Sequence, residues 1–300
     1  MSTTRAAIEG SLWGLLIGDA LGVPYEFHSP LAIPPAEQIE FEPPPGFSRA
    51  HAGVPPGTWS DDGSQALCLL ASLLYCGRLD PEDLMRRIVN WYEHGYMAAN
   101  GRVFDIGIQT SVALMAFQSG TAAIECGPRS ESDNGNGSLM RVLPLALWHK
   151  GSDEELIRDA RTQSLITHGH PRAQLCCALY CMWARRILQR HDDPWESAVE
   201  SVRDCTIETN ELDVILQPGS GRGTGYVVDS LRSVRAVMDA GSYEAVVKAA
   251  IQLGNDTDTT AAIAGGIAGL RDGIDAIPVR WRNGLRDSEL FMPMLAQVSD

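Results

Sequence analysis

Two short stretches concentrate chemistry-bearing side chains in this 300-residue chain: Ser60-Asp61-Asp62 and, far downstream, Asp256-Thr257-Asp258-Thr259-Thr260. Each packs two carboxylates and at least one hydroxyl together. Each leads into an apolar run with helical character, Gln65 to Tyr75 and Ala261 to Leu270. Clustered like charges repel at a helix start. The helix dipole offsets under ~1 kcal/mol of that for an exposed group. A hard divalent cation, which takes carboxylate, hydroxyl and water oxygens, offsets far more. The two stretches are therefore expected to meet in space and hold one or two divalent metals. Ser, Thr and Asp are also the favoured N-cap residues, and Ser60-Asp61-Asp62 alone reads equally as a cap. The second stretch offers several oxygens where a cap needs one, which favours the metal site.

Other candidates are weaker singly. Glu26, between Tyr25 and Phe27, reads locally as a surface-loop acid, and Asp105 reads as a helix cap. The glycine-rich turns Asn134–Ser138 and Gly219–Gly225 expose backbone N–H groups that suit anions, with Arg141 as added charge. Neither has P-loop spacing. Thr167-His168-Gly169-His170-Pro171 lacks zinc-type partners, so its histidines suit capping or ligand contact. No nucleophile elbow or catalytic Cys–His pair is evident. The set fits metal-assisted hydrolysis, and the residue chemistry alone leaves a phosphate ester and a glycosidic bond both open.

The elements that must position these groups read as helices. One is expected from about Arg5 to Ile17, ended by the turn Gly18-Asp19-Ala20-Leu21-Gly22. Residues 30–56 carry eight of the 17 prolines and read as a long irregular connection, a possible lid. Asp80-Pro81 and Ser152 with Glu155 open capped helices. A helix after Gly107 is expected to turn Val112, Met115 and Ala116 inward. Further helices run over 172–190, from Pro194 to about Cys205, and over 226–239 and 242–253. About ten helices and no alternating strands predict one all-α domain over residues 1–300.

A formal net charge of −14 with two lysines, Lys150 and Lys248, argues against nucleic acid or an anionic membrane as partner. No secretory leader is expected, and no apolar run approaches the ~20 residues of a membrane span. Seven cysteines without a metal-type pair, three of them (Cys176, Cys177, Cys181) in one apolar helix, suit a reducing cytoplasmic setting.

Taken in order, Gly18-Asp19-Ala20-Leu21-Gly22, Ser60-Asp61-Asp62, Asp105-Ile106-Gly107, Gly135-Asn136-Gly137-Ser138-Leu139-Met140-Arg141, Thr167-His168 and Gly254-Asn255-Asp256-Thr257-Asp258-Thr259 resemble the ADP-ribosylglycohydrolase family over roughly residues 8–272. The resemblance implies a compact all-α fold with a dinuclear Mg²⁺ or Mn²⁺ cleft. It implies that Ser60, Asp61, Asp62, Asp256, Asp258 and Thr259 hold the metals, with Ser60 standing where relatives often have Thr. It gives Glu26, Asp61, Asp62 and Asp105 catalytic places, Asp105 facing a guanidinium. It sets Gly137, Ser138, Met140 and His168 around the ribose and phosphates, and Tyr226 against adenine. The implied substrate is an ADP-ribosylated protein and the implied reaction hydrolysis of the N-glycosidic bond to arginine. Alternatives are another ADP-ribosyl linkage (serine or O-acetyl-ADP-ribose), cleavage of the pyrophosphate, and a catalytically silent ADP-ribose-binding protein.

Overall fold

Two long helices lie backbone against backbone at the centre of the molecule. In this computed structural model, which describes residues 3–299, the first helix, α1, spans Thr3–Gly22. Gly10, Gly14, Gly18 and Gly22 recur every fourth residue and so form one stripe along it. That stripe faces the helix Thr257–Asp272. A Cβ on Gly10 would lie 2.4 Å from the Gly269 carbonyl oxygen, one on Gly14 2.3 Å from that of Gly265, and one on Gly18 2.1 Å from that of Ala261. On Gly22 it would fall 2.3 Å from Cα of Asp258. The pairing numbers rise in one helix as they fall in the other, so the two run antiparallel. The end of α1 therefore lies beside the start of its partner.

The remaining helices wrap this pair. In chain order they are α2 Asp61–Cys76, α3 Pro81–His94, α4 Ile108–Gln118, α5 Leu143–Trp148, α6 Asp153–Leu165, α7 Pro171–Leu188, α8 Pro194–Asp204, α9 Thr209–Leu216, α10 Val227–Val237, α11 Tyr243–Gln252, α13 Val279–Gly284 and α14 Met292–Ser299, the partner of α1 being α12 Thr257–Asp272. No strand occurs among the described residues; one isolated bridge pairs Gly135 with Tyr226. The fold class is all-α, as expected. The buried apolar residues form one connected core from Ile8 to Val298, with Cys176, Cys177 and Cys181 inside it.

Buried hydrogen bonds lock the central pair. Ser11 Oγ donates to the Gly266 carbonyl (3.0 Å), Tyr243 Oη to that of Gly14 (2.9 Å) and Tyr180 Oη to that of Ile263 (2.8 Å). Ser60 caps α2, Asp80 caps α3 and Ser152 with Glu155 forms the capping box of α6. Those ends follow the sequence reading.

Five expectations need correction. The helix read as ending at Ile17 continues to Gly22, because Gly18 and Gly22 serve close approach and not a turn. Among the described residues fourteen helices stand where about ten were expected; the added ones are short. On α4 the buried positions are Thr110, Ala113 and Leu114, whereas Val112 and Met115 are exposed. Asp105 is not a cap: Gly107 holds the N-cap position, and Asp105 sits at φ 59° with its Oδ1 accepting from the Ile106 N–H. Lastly, Thr4–Tyr25 is long and apolar enough to cross a membrane, but 78% of its most apolar part is buried inside the fold. It is the core helix.

Gly14→Ala must push two backbones apart. It should cost about 1–3 kcal/mol as an overpacked core does, although alanine is the better helix former by about 1 kcal/mol. Gly53→Ala, where a Cβ meets nothing within 4 Å, is the control. Thermal unfolding should show a lower Tm for the first and no change for the second.

Candidate active cleft

The antiparallel pairing fixes which groups meet. Asp19, in the last turn of α1, accepts from the Ser60 backbone N–H at 2.9 Å and from that of Gly63 at 2.8 Å. It therefore holds the N-terminus of α2 against the end of α1. The N-terminus of α12 arrives there through the glycine contacts. Glu26 is tied in by backbone: Phe27 N–H donates to the Asn255 carbonyl and Asn255 N–H to that of His28, both at 2.7 Å. Phe27 and Asn255 adopt left-handed φ of 64° and 61° to make this pair.

A cleft of about 650 Å³ opens over this junction, a volume suited to a small-molecule ligand. Glu26, Asp61, Asp105, Asp256 and Thr259 line one part of it; Gly135, Gly137, Met140, His168 and Gly225 line the rest. Ser60, Asp62 and Asp258 lie beneath. Asp62 Oδ2 accepts from Ser60 Oγ at 3.2 Å and from Thr259 Oγ1 at 3.3 Å, so residues from the two distant stretches touch. Carboxylate oxygens of Glu26, Asp256 and Asp258 all lie within 4.8 Å of one another. Glu26, far from being a surface acid, is 5% exposed.

Other expected residues take less direct places. The Ser138 hydroxyl points into the core, 2.8 Å from Ser164 Oγ. Gly137 lies against the His168 ring, where a Cβ would sit 2.9 Å from Cε1. Tyr226 is half-exposed beside the lining residues Thr224 and Gly225, its hydroxyl accepting from Arg172 at 3.1 Å. Arg141 does not face the cleft. It is fully buried, donating to Gln163 Oε1 (3.0 Å), the Gln163 carbonyl (2.9 Å) and Gln65 Oε1 (3.1 Å). Gln65 passes the contact on, donating to Asp61 Oδ2 at 3.2 Å.

Sequence reasoning singled out neither Asn136, which donates to Asp256 Oδ2 at 2.7 Å, nor Asp19, Gln65 or His51. Asn136 and Asp19 stood inside quoted motifs. Gln65 and His51 carried no local signal.

The electrostatics are those of crowded, desolvated acids. Burial, then Asp105, pushes Asp61 well up; burial, then Asp19, does so for Asp62; burial, then Glu26, for Asp258. Glu26 is pushed up to about 10 by burial and then by Asp105. Asp19 rises to about 7 through burial, against the lowering pull of its two backbone donors. His168 falls to about 3 because it is buried near Arg141, so its imidazole is neutral. Asp62 Oδ1 is buried with no hydrogen-bond partner among the described residues. An orphaned carboxylate oxygen amid an all-oxygen donor set fits a hard divalent cation, whose charge would reverse these shifts.

The profile of the ADP-ribosylglycohydrolase family matches residues 1–299. The chain belongs to the ADP-ribosylglycohydrolase family. Among similar proteins, the ADP-ribosylarginine hydrolase Tri1 of Pseudomonas putida is 32% identical over 97% of this chain and 77% of its own. The ADP-ribosyl-[dinitrogen reductase] glycohydrolase of Rhodospirillum rubrum is 29% identical over 92% of this chain and 89% of its own. A solved structure described as an ADP-ribosylglycohydrolase-related protein complex matches with a TM-score of 0.80 at 29% identity, over 100% of this chain and 98% of that one. The cleft of this glycohydrolase is thus built where the family motifs converge.

Raised carboxyl values have a consequence for the cation-free protein. Between pH 7 and 8 an unfolded carboxyl, near 4, holds no proton, whereas folded Glu26, near 10, keeps one. The folded state then binds more protons, so stability falls as pH rises. The lowered histidines, His51, His149 and His168, act in the opposite sense but only below about 6.5. Denaturant unfolding in EDTA should give less stability at pH 8 than at pH 7, and saturating Mg²⁺ should remove the difference. Equal stability in EDTA would contradict the crowding.

Proposed function

We propose that this protein removes ADP-ribose from ADP-ribosylated arginine by hydrolysing the N-glycosidic bond. The supporting observation is the cleft itself. A carboxylate group that includes Asp105 lines one part, and glycine backbone with a neutral histidine lines the rest. The first suits a cationic guanidinium beside ribose hydroxyls, the second the pyrophosphate. The likeness to the ADP-ribosylarginine hydrolase of P. putida supports the same linkage.

Ser60, Asp61, Asp62, Asp256, Asp258 and Thr259 would hold two divalent cations, Mg²⁺ or Mn²⁺. Such ions supply Lewis acidity toward ribose oxygens and lower the pKa of bound water. Asn136 keeps the Asp256 carboxylate turned into the cleft, and Gln65 does the same for Asp61. Glu26 is the base we assign among Glu26, Asp61 and Asp62. It lines the cleft and, unlike Asp61 and Asp62, its carboxyl takes no amide or hydroxyl contact from a neighbouring side chain. It takes one proton from the attacking water as the bond from water oxygen to C1 of the ribose forms. The bond from C1 to the arginine nitrogen breaks, and that nitrogen leaves with the electron pair as a neutral guanidine, which regains a proton from Glu26. Asp105, held by its contact with the Ile106 N–H, orients the guanidinium. The positive charge that develops on the ribose is stabilised by the surrounding carboxylates. Gly137, Met140 and His168, with Ser138 behind them and Tyr226 beside them, would receive the ADP portion. The Pro-rich segment 30–56 would close over it. Seven free cysteines suit a cytoplasmic setting.

Asp61→Asn and Asp256→Asn should each lower turnover at least ~100-fold while leaving the fold intact by circular dichroism. Asp105→Asn should reduce release from arginine, with product chromatography showing ADP-ribose and no AMP. Release from a serine-linked substrate alone would move the reading to another linkage. AMP as product would move it to pyrophosphate cleavage.

A further inference from the structure

The Pro-rich segment sends one side chain into the acid cluster. His51 Nε2 lies 2.6 Å from Glu26 Oε2. Among the described residues no other side chain hydrogen-bonds that carboxyl. Oxygens of Glu26 and Asp105 and a ring nitrogen of His51 all lie within 4.8 Å of one another. The ring packs against two phenylalanines from separate parts of the chain: Phe27, next to Glu26, at 5.6 Å, and Phe104, next to Asp105, at 5.2 Å between centroids.

The backbone is arranged to hold this ring in place. His51 adopts a left-handed φ of 49°, a conformation that costs a non-glycine residue of order 1 kcal/mol. Its carbonyl accepts from the Val54 N–H at 2.8 Å, and its neighbour Ala50 donates to the Pro24 carbonyl at 2.9 Å. Arg49 closes the turn from the other side, donating to the Val54 carbonyl at 2.9 Å. The segment is anchored further back by Tyr25 Oη, which donates to the Glu40 carbonyl at 2.9 Å, and by buried Ile39 and Phe41. The strap is thus pinned at its middle and beside His51, which among the described residues is its single contact with the Glu26 carboxyl.

We propose that His51 is a positioning residue for Glu26: it fixes the carboxyl toward the cleft and makes seating of the 30–56 strap a condition of turnover. The inference rests on the reading above that Glu26 acts on the attacking water. Its geometry has a plain reason. A glutamate carboxyl has three rotatable bonds and sits among like charges that push it away. One hydrogen bond with a ring packed against two aromatics limits that freedom.

The test compares His51→Ala and His51→Gln with the intact enzyme in saturating Mg²⁺. Steady-state kinetics on ADP-ribosylated arginine, ADP-ribose binding by calorimetry and backbone amide exchange over residues 50–54 are read for each. His51→Ala should lower kcat ~10- to 100-fold, part of the ~10²–10⁴ that a positioned general base supplies. KM and ADP-ribose Kd should stay within ~3-fold. Glutamine, whose amide reaches a similar point and can hydrogen-bond Glu26, should recover most of kcat. In a Glu26→Gln background, His51→Ala should add almost nothing, because the two act as a unit. An unchanged kcat, a loss confined to KM and Kd, or an equal loss in the Glu26→Gln background would each overturn the proposal. A wild-type enzyme that hydrolyses no ADP-ribosyl linkage would sink the reaction assigned above. The exchange readout then decides for His51: faster exchange at Ala50 and Val54 in His51→Ala keeps its role in seating the strap, and unchanged exchange removes it.

Discussion

Everything in the cleft depends on how closely α1 and α12 approach. A glycine stripe lets the backbone of α1 touch carbonyl oxygens of α12 where any side chain would collide. Close contact fixes the axial register, since sliding by one residue would set a glycine against a larger neighbour. The register then sets the functional geometry. It brings Asp19 and Glu26 from one end of α1 beside Asp256 and Asp258 at the start of α12. Asp19 in turn binds the N-terminus of α2 and carries Asp61 and Asp62 into the same volume. A packing constraint thus becomes a charge constraint.

That charge is the second organising fact. Two helix N-termini point at the cluster, and each offers ~2 kcal/mol at best in a partly buried setting. The other protein charge built into the site is Arg141, which spreads its donors over two glutamines. One glutamine reaches Asp61; the other donates to the Ser138 carbonyl in the glycine-rich loop. The guanidinium therefore links the acidic part of the cleft to the glycine-lined part through neutral amides. It biases the cluster without occupying a carboxylate oxygen. Asp62 Oδ1 is left buried without a hydrogen-bond partner among the described residues.

The sequence was legible where local chemistry speaks. Capping residues marked helix starts at Ser60, Asp80 and Ser152, and the doubled acid stretches marked the cleft floor. It was misleading where one residue type serves two ends. Gly18 and Gly22 look like a turn, and only the partner helix shows that they are contact points. Val112 and Met115 suggested an inward face, but α4 turns Thr110, Ala113 and Leu114 inward. Glu26 looked like a loop acid because the groups around it, among them His51, Asp105 and Asp256, come from separate segments of the chain. Arg141 read as added charge for the glycine-rich turn, whereas its guanidinium is buried against Gln163 and Gln65; His51 was not assignable because its partner Glu26 lies 25 positions distant. The ordered family motifs carried the rest, since they record contacts that local spacing does not.

The measurement that bears most directly on this account is the location of bound Mn²⁺ by anomalous diffraction, with stoichiometry from equilibrium dialysis. Two ions per chain between the N-termini of α2 and α12, within coordination distance of Asp61, Asp62, Asp256 and Asp258, is the result the account predicts. No binding, or ions bound elsewhere with that acid cluster empty, would contradict it.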